Sequence, residues 1–147
     1  LEEILKCGTY APNGKSKQSA RIVVVRDRDT IEEIAKVNGS FVNKPGLNPF
    51  YEAPTLLIVF ADKNVATYVQ DGSAVIMNML NAAFSLGVDS CWIHRAKETF
   101  ETDFGKELMQ KWGLDENYEG IGNIVLGYRD CPLPPAAPRK ENYIIFD

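Results

Sequence analysis

The stretch Ser73-Ala-Val-Ile-Met-Asn-Met-Leu-Asn-Ala-Ala-Phe-Ser-Leu86 decides how this chain folds. Its apolar residues predict a helix and are distributed almost all the way around the helix axis. A helix with that distribution is buried on every side, whereas a surface helix carries one apolar stripe. A domain of this size seldom surrounds a central helix completely, so the pattern favours a second copy of the chain on one side. The alternative is a helix that merely crosses the middle of a two-layer core.

Further elements are predicted on both sides of this helix. We predict helices at residues 1–6, 30–37 and 100–112, and strands at residues 22–25, 55–60, 89–93, 121–127 and 142–146. Thr30 is the predicted N-cap of the second helix, with Glu33 at the capping-box position. Gly87 and Gly113 are predicted to end the helices before them. Strands and helices mix without a regular βαβ alternation, which predicts an α+β fold.

Two segments are predicted to be irregular. Residues 38–53 hold many Gly, Asn and Pro residues and indicate a long loop. Cys131-Pro-Leu-Pro-Pro-Ala-Ala-Pro138 indicates an extended connector, since proline-rich segments are semi-rigid spacers. Such a connector could carry the strand predicted at 142–146 onto the sheet of a neighbouring chain.

Size and composition narrow the class of protein. The 147 residues fit one domain, and 45% of them are hydrophobic, which is enough for a core. The net charge of −4 and the absence of a dense basic block disfavour nucleic-acid binding. No apolar run approaches the roughly 20 residues that span a bilayer. Three scattered cysteines suit a reducing compartment, so we expect a cytoplasmic protein that binds no membrane. Leu1 opens what resembles the middle of a helix, and we expect a further segment to precede it.

Several familiar sites are disfavoured by the residues. A zinc site is improbable because His94 is the sole histidine and no cysteine pair has CxxC spacing. The glycines at 120, 122 and 127 have the wrong spacing for a dinucleotide-binding fingerprint. A nucleophilic pair of Cys91 and His94 remains an alternative, although a buried structural thiol is the commoner case for a cysteine in an apolar strand.

An ordered set of motifs runs along essentially the whole chain. The motifs are Ala11-Pro-Asn-Gly-Lys-Ser-Lys-Gln18, Phe50-Tyr-Glu-Ala-Pro-Thr55, Asp71-Gly-Ser73, Leu86-Gly-Val-Asp-Ser-Cys-Trp-Ile93, Gly127-Tyr-Arg129 and Pro138-Arg-Lys140. Each is loose alone, but in this order they resemble the flavin-dependent nitroreductase family. The resemblance implies a single domain over residues 1–147, with a central mixed, mostly antiparallel sheet flanked by helices. It further implies an intertwined homodimer that exchanges C-terminal strands.

The resemblance also implies an activity and a site. Family members hold FMN at the dimer interface and pass electrons from NAD(P)H to a nitroaromatic, a quinone or a similar acceptor. The flavin carries the chemistry, so no side chain is predicted to be catalytic. The cofactor-binding residues implied by the resemblance are Pro12, Asn13, Gly14, Lys15, Ser16, Gln18, Ile93, His94, Arg95, Arg139 and Lys140.

Each group of these residues has an implied role. The turn at Ile93-His94-Arg95 offers a backbone N–H to flavin N5, and Lys15, Lys17 and Arg95 are candidate cations near N1. Asn13, Ser16 and Gln18 suit the ribityl hydroxyls. Arg139 suits the phosphate, with Lys140 assisting, because a guanidinium presents several donors to an anion. As an alternative, Arg139 and Lys140 are ordinary solvated charges.

The chain departs from the family pattern at three places. The family's arginine-rich opening segment is not present, Ser16 and Ser19-Ala20 stand where Asn and Pro-Trp are usual, and His94-Arg95 replaces a small or acidic pair. Two alternative functions follow. One is a flavin-binding module of the same fold without catalytic turnover. The other is a specialised relative that dehalogenates a substrate or fragments the flavin.

Overall fold

The computed structural model describes residues 1–42, 44 and 46–147. Its helices are α1 (Glu2–Thr9), α2 (Arg28–Ser40), α3 (Tyr68–Ser85), α4 (Ala96–Glu101) and α5 (Asp103–Lys111), and its strands are β1 (Ala20–Val25), β2 (Thr55–Asp62), β3 (Asp89–Ile93) and β4 (Tyr118–Gly127). A 3-10 turn at Gly14–Ser16 lies between α1 and β1. Positions 43 and 45 of the predicted long loop lie outside the described residues.

The strands of the described residues form one sheet in the order β1-β2-β4-β3, and each neighbouring pair is antiparallel. Ala20 lies opposite Ala61, Ala61 lies opposite Glu119, and Ile93 lies opposite Asn123. The start of β1, the end of β2 and the start of β4 therefore lie at one end of the sheet, and the shorter β3 runs toward that end and stops level with Asn123. The prediction of an α+β fold with a mostly antiparallel sheet is confirmed.

Helices cover both faces of the sheet, and β2 shows why. Its residues from Leu56 to Ala61 are fully buried. Leu57 and Val59 pack against α1 and α3, whereas Leu56 and Ile58 pack against α2, α4 and α5. Successive side chains of a strand point to opposite faces, so a continuous apolar run requires a covering layer on each side. Burial of each such side chain stabilises the fold by about 1.5–3 kcal/mol.

Two predicted helix boundaries are wrong. Asp27, and not Thr30, is the N-cap of α2, because its carboxylate accepts the Thr30 N–H at 2.9 Å and the Thr30 hydroxyl at 2.6 Å. The helix predicted at 100–112 is two helices that meet at Thr102. That residue has extended backbone (φ −70°, ψ 161°) and accepts the Gly105 N–H at 3.1 Å, so it caps α5.

The predicted helix ends at Gly87 and Gly113 are confirmed. Gly87 and Gly113 both have left-handed backbone, with φ of 71° and 73°, directly after α3 and α5. Only glycine adopts this conformation without a steric penalty, which is why these residues end helices so often. α3 itself begins at Tyr68, five residues before the predicted start.

The predicted strand at 142–146 is wrong for the single chain. Residues 128–147, all of which the structure describes, form no helix or strand and are exposed. A strand needs a neighbour to pair its backbone N–H and C=O groups, and this segment meets none among the described residues.

Candidate functional site

A buried carboxylate anchors the loop at residues 11–18. Asp71, in the first turn of α3, is 3% exposed. It accepts the Gly14 N–H at 2.9 Å, the Ser19 hydroxyl at 2.7 Å and the Thr67 hydroxyl at 3.2 Å. These contacts join the middle of the loop and the residue that follows it to the start of α3, so the loop has a defined position against the helix.

The hydrogen bonds to Asp71 favour its ionised form. Burial alone would raise the pKa of this carboxyl group, because low dielectric disfavours the ionised form. The three donors oppose burial and hold the pKa of Asp71 below its ordinary value of 3.8. Asp71 is therefore a structural anion at neutral pH, and neutral N–H and O–H donors stabilise its charge.

The backbone of the loop turns its polar residues outward. Lys15, Ser16 and Gln18 all have left-handed backbone, with φ of 52°, 55° and 48°. Such conformations are costly for residues with a side chain and concentrate at functional sites. The Asn13 side-chain oxygen accepts the Gln18 N–H at 2.9 Å, which closes the loop on itself.

Gly14 cannot carry a side chain in this loop. A Cβ atom at Gly14 would lie 2.1 Å from the Thr67 hydroxyl oxygen, far inside van der Waals contact. The missing side chain lets the loop approach the start of α3 closely enough for the Gly14 N–H to reach Asp71.

A groove lies beside the loop, along the outer edge of β1. It has a volume of about 410 Å³, and its lining is mostly apolar. Leu5 and Gly8 from α1 form one wall, Val75 from α3 lies at the base, and Ile22 and Val24 line the strand side. The outer edge of β1 has no partner strand among the described residues.

The second predicted segment is the turn between β3 and α4. Arg95 has left-handed backbone (φ 71°, ψ 19°) and is the N-cap of α4. Its guanidinium forms an ion pair with Glu98 at 2.5 Å. Burial would raise the pKa of Glu98, but the Arg95 hydrogen bond and charge hold that pKa below its ordinary value. The Arg95 side chain is thus tied to its own helix.

Two buried amides hold this turn from its inner side, and no motif in the sequence marks them. Asn38 of α2 and Asn123 of β4 both donate to the His94 carbonyl oxygen, at 2.9 Å and 3.4 Å. Asn38 also donates to the Thr99 hydroxyl at 3.2 Å. Their exposed fractions are 1% and 0%. Within the described residues, neither side-chain oxygen has a hydrogen-bond partner. An unpaired buried acceptor costs about 1–3 kcal/mol.

The loop and the turn lie at the same end of the sheet but at opposite edges. β1 and β3 are the edge strands, separated by β2 and β4. Three strand spacings separate the two edge strands by roughly 14 Å. The loop and the turn are therefore not in contact with each other in one chain.

A series of bonded polar side chains lies between the loop and the turn. Lys97 of α4 forms an ion pair with Glu119 at 2.8 Å, and Glu119 accepts the Tyr68 hydroxyl at 3.1 Å. Tyr68 is the first residue of α3, directly after Thr67, which contacts Asp71. Hydrogen bonds and chain connectivity thus link the β3–α4 turn to the helix that holds the loop.

The third predicted segment lies apart from the other two. Arg139 and Lys140 are exposed in the C-terminal segment, and the Arg139 guanidinium donates to the Ala137 carbonyl at 2.7 Å. The single chain brings neither residue to the loop or to the turn.

One side of α3 exposes large apolar residues. Val69, Met77 and Phe84 are 42%, 50% and 78% exposed and lie on one stripe of the helix. Trp92 of β3 is 40% exposed. The opposite side of α3 is in the core. The sequence predicted that this helix is buried on every side. In the single chain, only part of the surface of α3 is covered.

The model of the "Nitroreductase family" matches residues 1–128 of this chain. The chain belongs to the nitroreductase family. The match covers the loop, α3 and the β3–α4 turn, and it confirms the resemblance in the motifs up to residue 128. The chain is accordingly of the oxidoreductase type.

Relatives of this nitroreductase chain agree with the assignment. It is 30% identical over 135 residues to an Archaeoglobus fulgidus protein with the provisional name NADH dehydrogenase/NAD(P)H nitroreductase, covering 87% of this chain and 71% of the relative. The FMN-bound nitroreductase structure from Bacteroides fragilis is 27% identical, with a TM-score of 0.87, over 99% of this chain and 84% of that one. The structure of oxidised iodotyrosine deiodinase bound to FMN and 3-iodo-L-tyrosine is 23% identical, with a TM-score of 0.77. The match covers 99% of this chain and 85% of the deiodinase chain.

A metal centre and a membrane span are two other kinds of site, and a reactive cysteine is the alternative that the sequence left open. In residues 1–42, 44 and 46–147, no three His, Cys, Asp or Glu side chains form a metal-binding group. Among the helices of the same residues, none has the length and apolar character to cross a membrane. Cys91 is exposed and not buried as expected, and partial desolvation raises the pKa of its thiol, which opposes a thiolate nucleophile.

Proposed function

We propose that this nitroreductase-family chain is an FMN-dependent oxidoreductase that passes electrons from NAD(P)H to a small acceptor such as a nitroaromatic or a quinone. The observation that carries the proposal is the placement of two donor-bearing segments at one end of the sheet. The loop is hydrogen-bonded to the start of α3, and the turn follows β3, which packs against α3. Family membership supplies the reaction class.

A homodimer is part of the proposal. An apolar stripe with Phe84 and Met77 at its exposed positions is costly in water, and large exposed apolar patches mark interaction surfaces. A second copy would cover the stripe with the same stripe of its own, as a two-fold interface requires. It would also bring the loop of one chain toward the turn of the other.

The C-terminal segment supports an exchange between the two copies. Tyr143, Ile144, Ile145 and Phe146 are between 69% and 89% exposed, which is unfavourable for four consecutive apolar side chains. The free edge of β1 and its apolar groove offer both backbone partners and apolar contacts. We propose that this segment adds a strand to the β1 edge of the partner. That arrangement would also bring Arg139 and Lys140 to the partner.

The donor set of the chain fits FMN. The outward loop offers the side chains of Asn13, Ser16 and Gln18, and the turn offers a backbone N–H at Arg95. Lys15 and Lys17 are exposed cations within the loop. Arg139 and Lys140 would hold the phosphate by charge-assisted hydrogen bonds. Pro12, Gly14, Ile93 and His94 would line the site through their backbone.

When bound, FMN supplies two-electron transfer between the nicotinamide and the acceptor. The contribution of the chain is to bind and orient the ring, to keep water from it, and to place cations where negative charge accumulates. No side chain is required as a nucleophile or an essential base. The three cysteines form no disulfide in the described chain, which is in keeping with a reducing cytoplasmic location.

Anaerobic addition of NADH or NADPH to the FMN-loaded protein tests the proposal. Bleaching of the flavin absorbance, followed by its recovery on addition of a quinone or a nitroaromatic, is the expected result. FMN that binds but is not bleached by either nicotinamide would support the second candidate, a flavin-binding module without turnover. The altered loop at residues 15–20 favours that candidate.

A third candidate is a specialised dehalogenase or flavin-fragmenting relative. The likeness to iodotyrosine deiodinase supports only a shared fold at 23% identity. Product analysis with a halogenated phenol, compared with a quinone under the same conditions, separates this candidate from the first.

A further inference from the structure

The peptide group between His94 and Arg95 has a fixed direction. Its carbonyl oxygen points inward, where Asn38 and Asn123 donate to it. A trans peptide directs its N–H opposite to its C=O, and the chain has no cis peptide among the described residues. The Arg95 N–H therefore points outward, away from the amides. Within the residues that the structure describes, no group accepts this N–H.

Three unfavourable features converge on this one peptide. Asn38 and Asn123 are buried with unpaired oxygens, and Arg95 has left-handed backbone although it is neither glycine nor asparagine. Thr99 adds a further constraint, because its hydroxyl donates to the Arg95 carbonyl at 2.6 Å and accepts from Asn38. A sequence that retains such costs at one place indicates a functional constraint there.

We infer that Asn38 and Asn123 are positioning residues, which direct the Arg95 N–H at the N5 atom of FMN. Donors to a carbonyl oxygen polarise the peptide, so the N–H of the same group becomes a stronger donor. The two amides thus set both the direction and the strength of the donor. The inference rests on the proposed function, since it assumes that FMN binds at this turn.

Asn123→Leu tests the inference with two flavins. The variant removes one donor to His94 and also removes an unpaired buried oxygen, so its thermal midpoint should stay within a few degrees of the parent or rise. Its Kd for FMN should rise by a factor of about 3–10, the worth of one hydrogen bond. Its Kd for 5-deaza-FMN, in which carbon replaces N5, should not change. An equal loss for both flavins would show a merely structural role and overturn the inference.

Asn38→Leu and Asn78→Leu complete the set of variants. Asn38→Leu should reproduce the selective loss of FMN affinity. Asn78 donates to the Cys7 carbonyl at 2.6 Å, between α3 and α1, and is the matched control for loss of a side-chain amide. Asn78→Leu should leave the ratio of the two affinities unchanged. If the ratio of the Kd for FMN to the Kd for 5-deaza-FMN changed equally in Asn123→Leu, Asn38→Leu and Asn78→Leu, Asn38 and Asn123 would have no special role toward N5.

A measurement on the flavin-free protein separates this inference from the proposed function. The amide ¹⁵N resonance of Arg95 should shift in Asn123→Leu and in Asn38→Leu but not in Asn78→Leu. An unchanged resonance would show that the two amides do not determine the direction of the His94–Arg95 peptide group, whether or not FMN binds. Failure of the parent protein to bind either flavin, with the resonance shifted as expected, would overturn the flavin role and leave the positioning of the peptide established.

Discussion

The Asp71 carboxylate accepts the backbone N–H of Gly14 at 2.9 Å, across 57 positions of sequence. This contact joins the first turn of the central helix to the loop that we propose contacts the ribityl chain. The position of the loop therefore depends on α3, and α3 is also the helix with the uncovered apolar stripe. The same helix thus supports both the proposed site and the proposed dimer.

Acid should weaken the protein through Asp71. Because the folded state lowers the pKa of this group, its contribution to stability is present above about pH 4 and is lost as the pH falls through the lowered value. Asp71→Asn should cost about 1–3 kcal/mol at pH 7. Urea unfolding at several pH values should show a shallower acid loss in the variant than in the parent. Glu107→Gln, at an exposed carboxylate of α5 that has no hydrogen-bond partner among the described residues, is the control and should leave the free energy of unfolding at pH 7 unchanged.

A methyl group at Gly14 should disturb the loop. The clash with Thr67 should cost about 1–3 kcal/mol in the free energy of unfolding and weaken FMN binding. Thr67→Ala in the same chain should recover part of both losses, since it removes the nearest atoms. Gly39→Ala is the matched control, because its new Cβ has no neighbour closer than 3.4 Å and lies in a helix. A Gly14→Ala protein as stable as the parent would show that the loop is not packed as described.

A charge on the apolar stripe should separate the two copies. Phe84→Glu and Met77→Glu should each raise the dimer dissociation constant about 100-fold or more, because an unpaired charge in an apolar interface costs several kcal/mol. Light scattering after size exclusion measures the change. Gln110→Glu on the exposed side of α5 should leave the dimer intact. Variants that remain dimeric would place the interface elsewhere.

Arg139→Ala should weaken the binding of FMN but not that of riboflavin. A charge-assisted hydrogen bond to phosphate is worth about 1.5–3 kcal/mol, so the Kd for FMN should rise roughly 10- to 100-fold. Riboflavin lacks the phosphate and should bind the variant and the parent equally. Arg28→Ala removes an exposed arginine that pairs with Glu32 on α2 and is the control. Unchanged FMN affinity in Arg139→Ala would mean that the phosphate lies elsewhere.

The sequence predicted the framework well because apolar patterning dominates it. The continuous apolar run of β2 required cover on both faces, and the structure provides it. The N-cap of α2 was harder to predict. Asp27 and Thr30 are both good N-cap residues, and only the tertiary fold selects between them. The break at Thr102 had no strong signal, since one amphipathic pattern continues through both helices.

The site was predictable only where a motif carried it. The loop and the turn were identified by resemblance, and their roles toward FMN remain predictions. Asn38 and Asn123 lie 85 positions apart in the sequence, and nothing local marks either as a partner of His94. The strand predicted at 142–146 does not form, because this segment pairs with no strand among the described residues. An apolar alternating pattern marks a segment that can form a strand but does not identify the strand with which it pairs.

The central claim is that FMN binds at a site formed by two copies of the chain. Sedimentation velocity of the FMN-saturated protein, followed at a wavelength absorbed only by flavin, tests it most directly. We expect flavin to sediment with a two-chain species, and Phe84→Glu to lose both that species and the bound flavin together. Flavin that sediments with a single chain, in the parent or in the variant, would contradict the account.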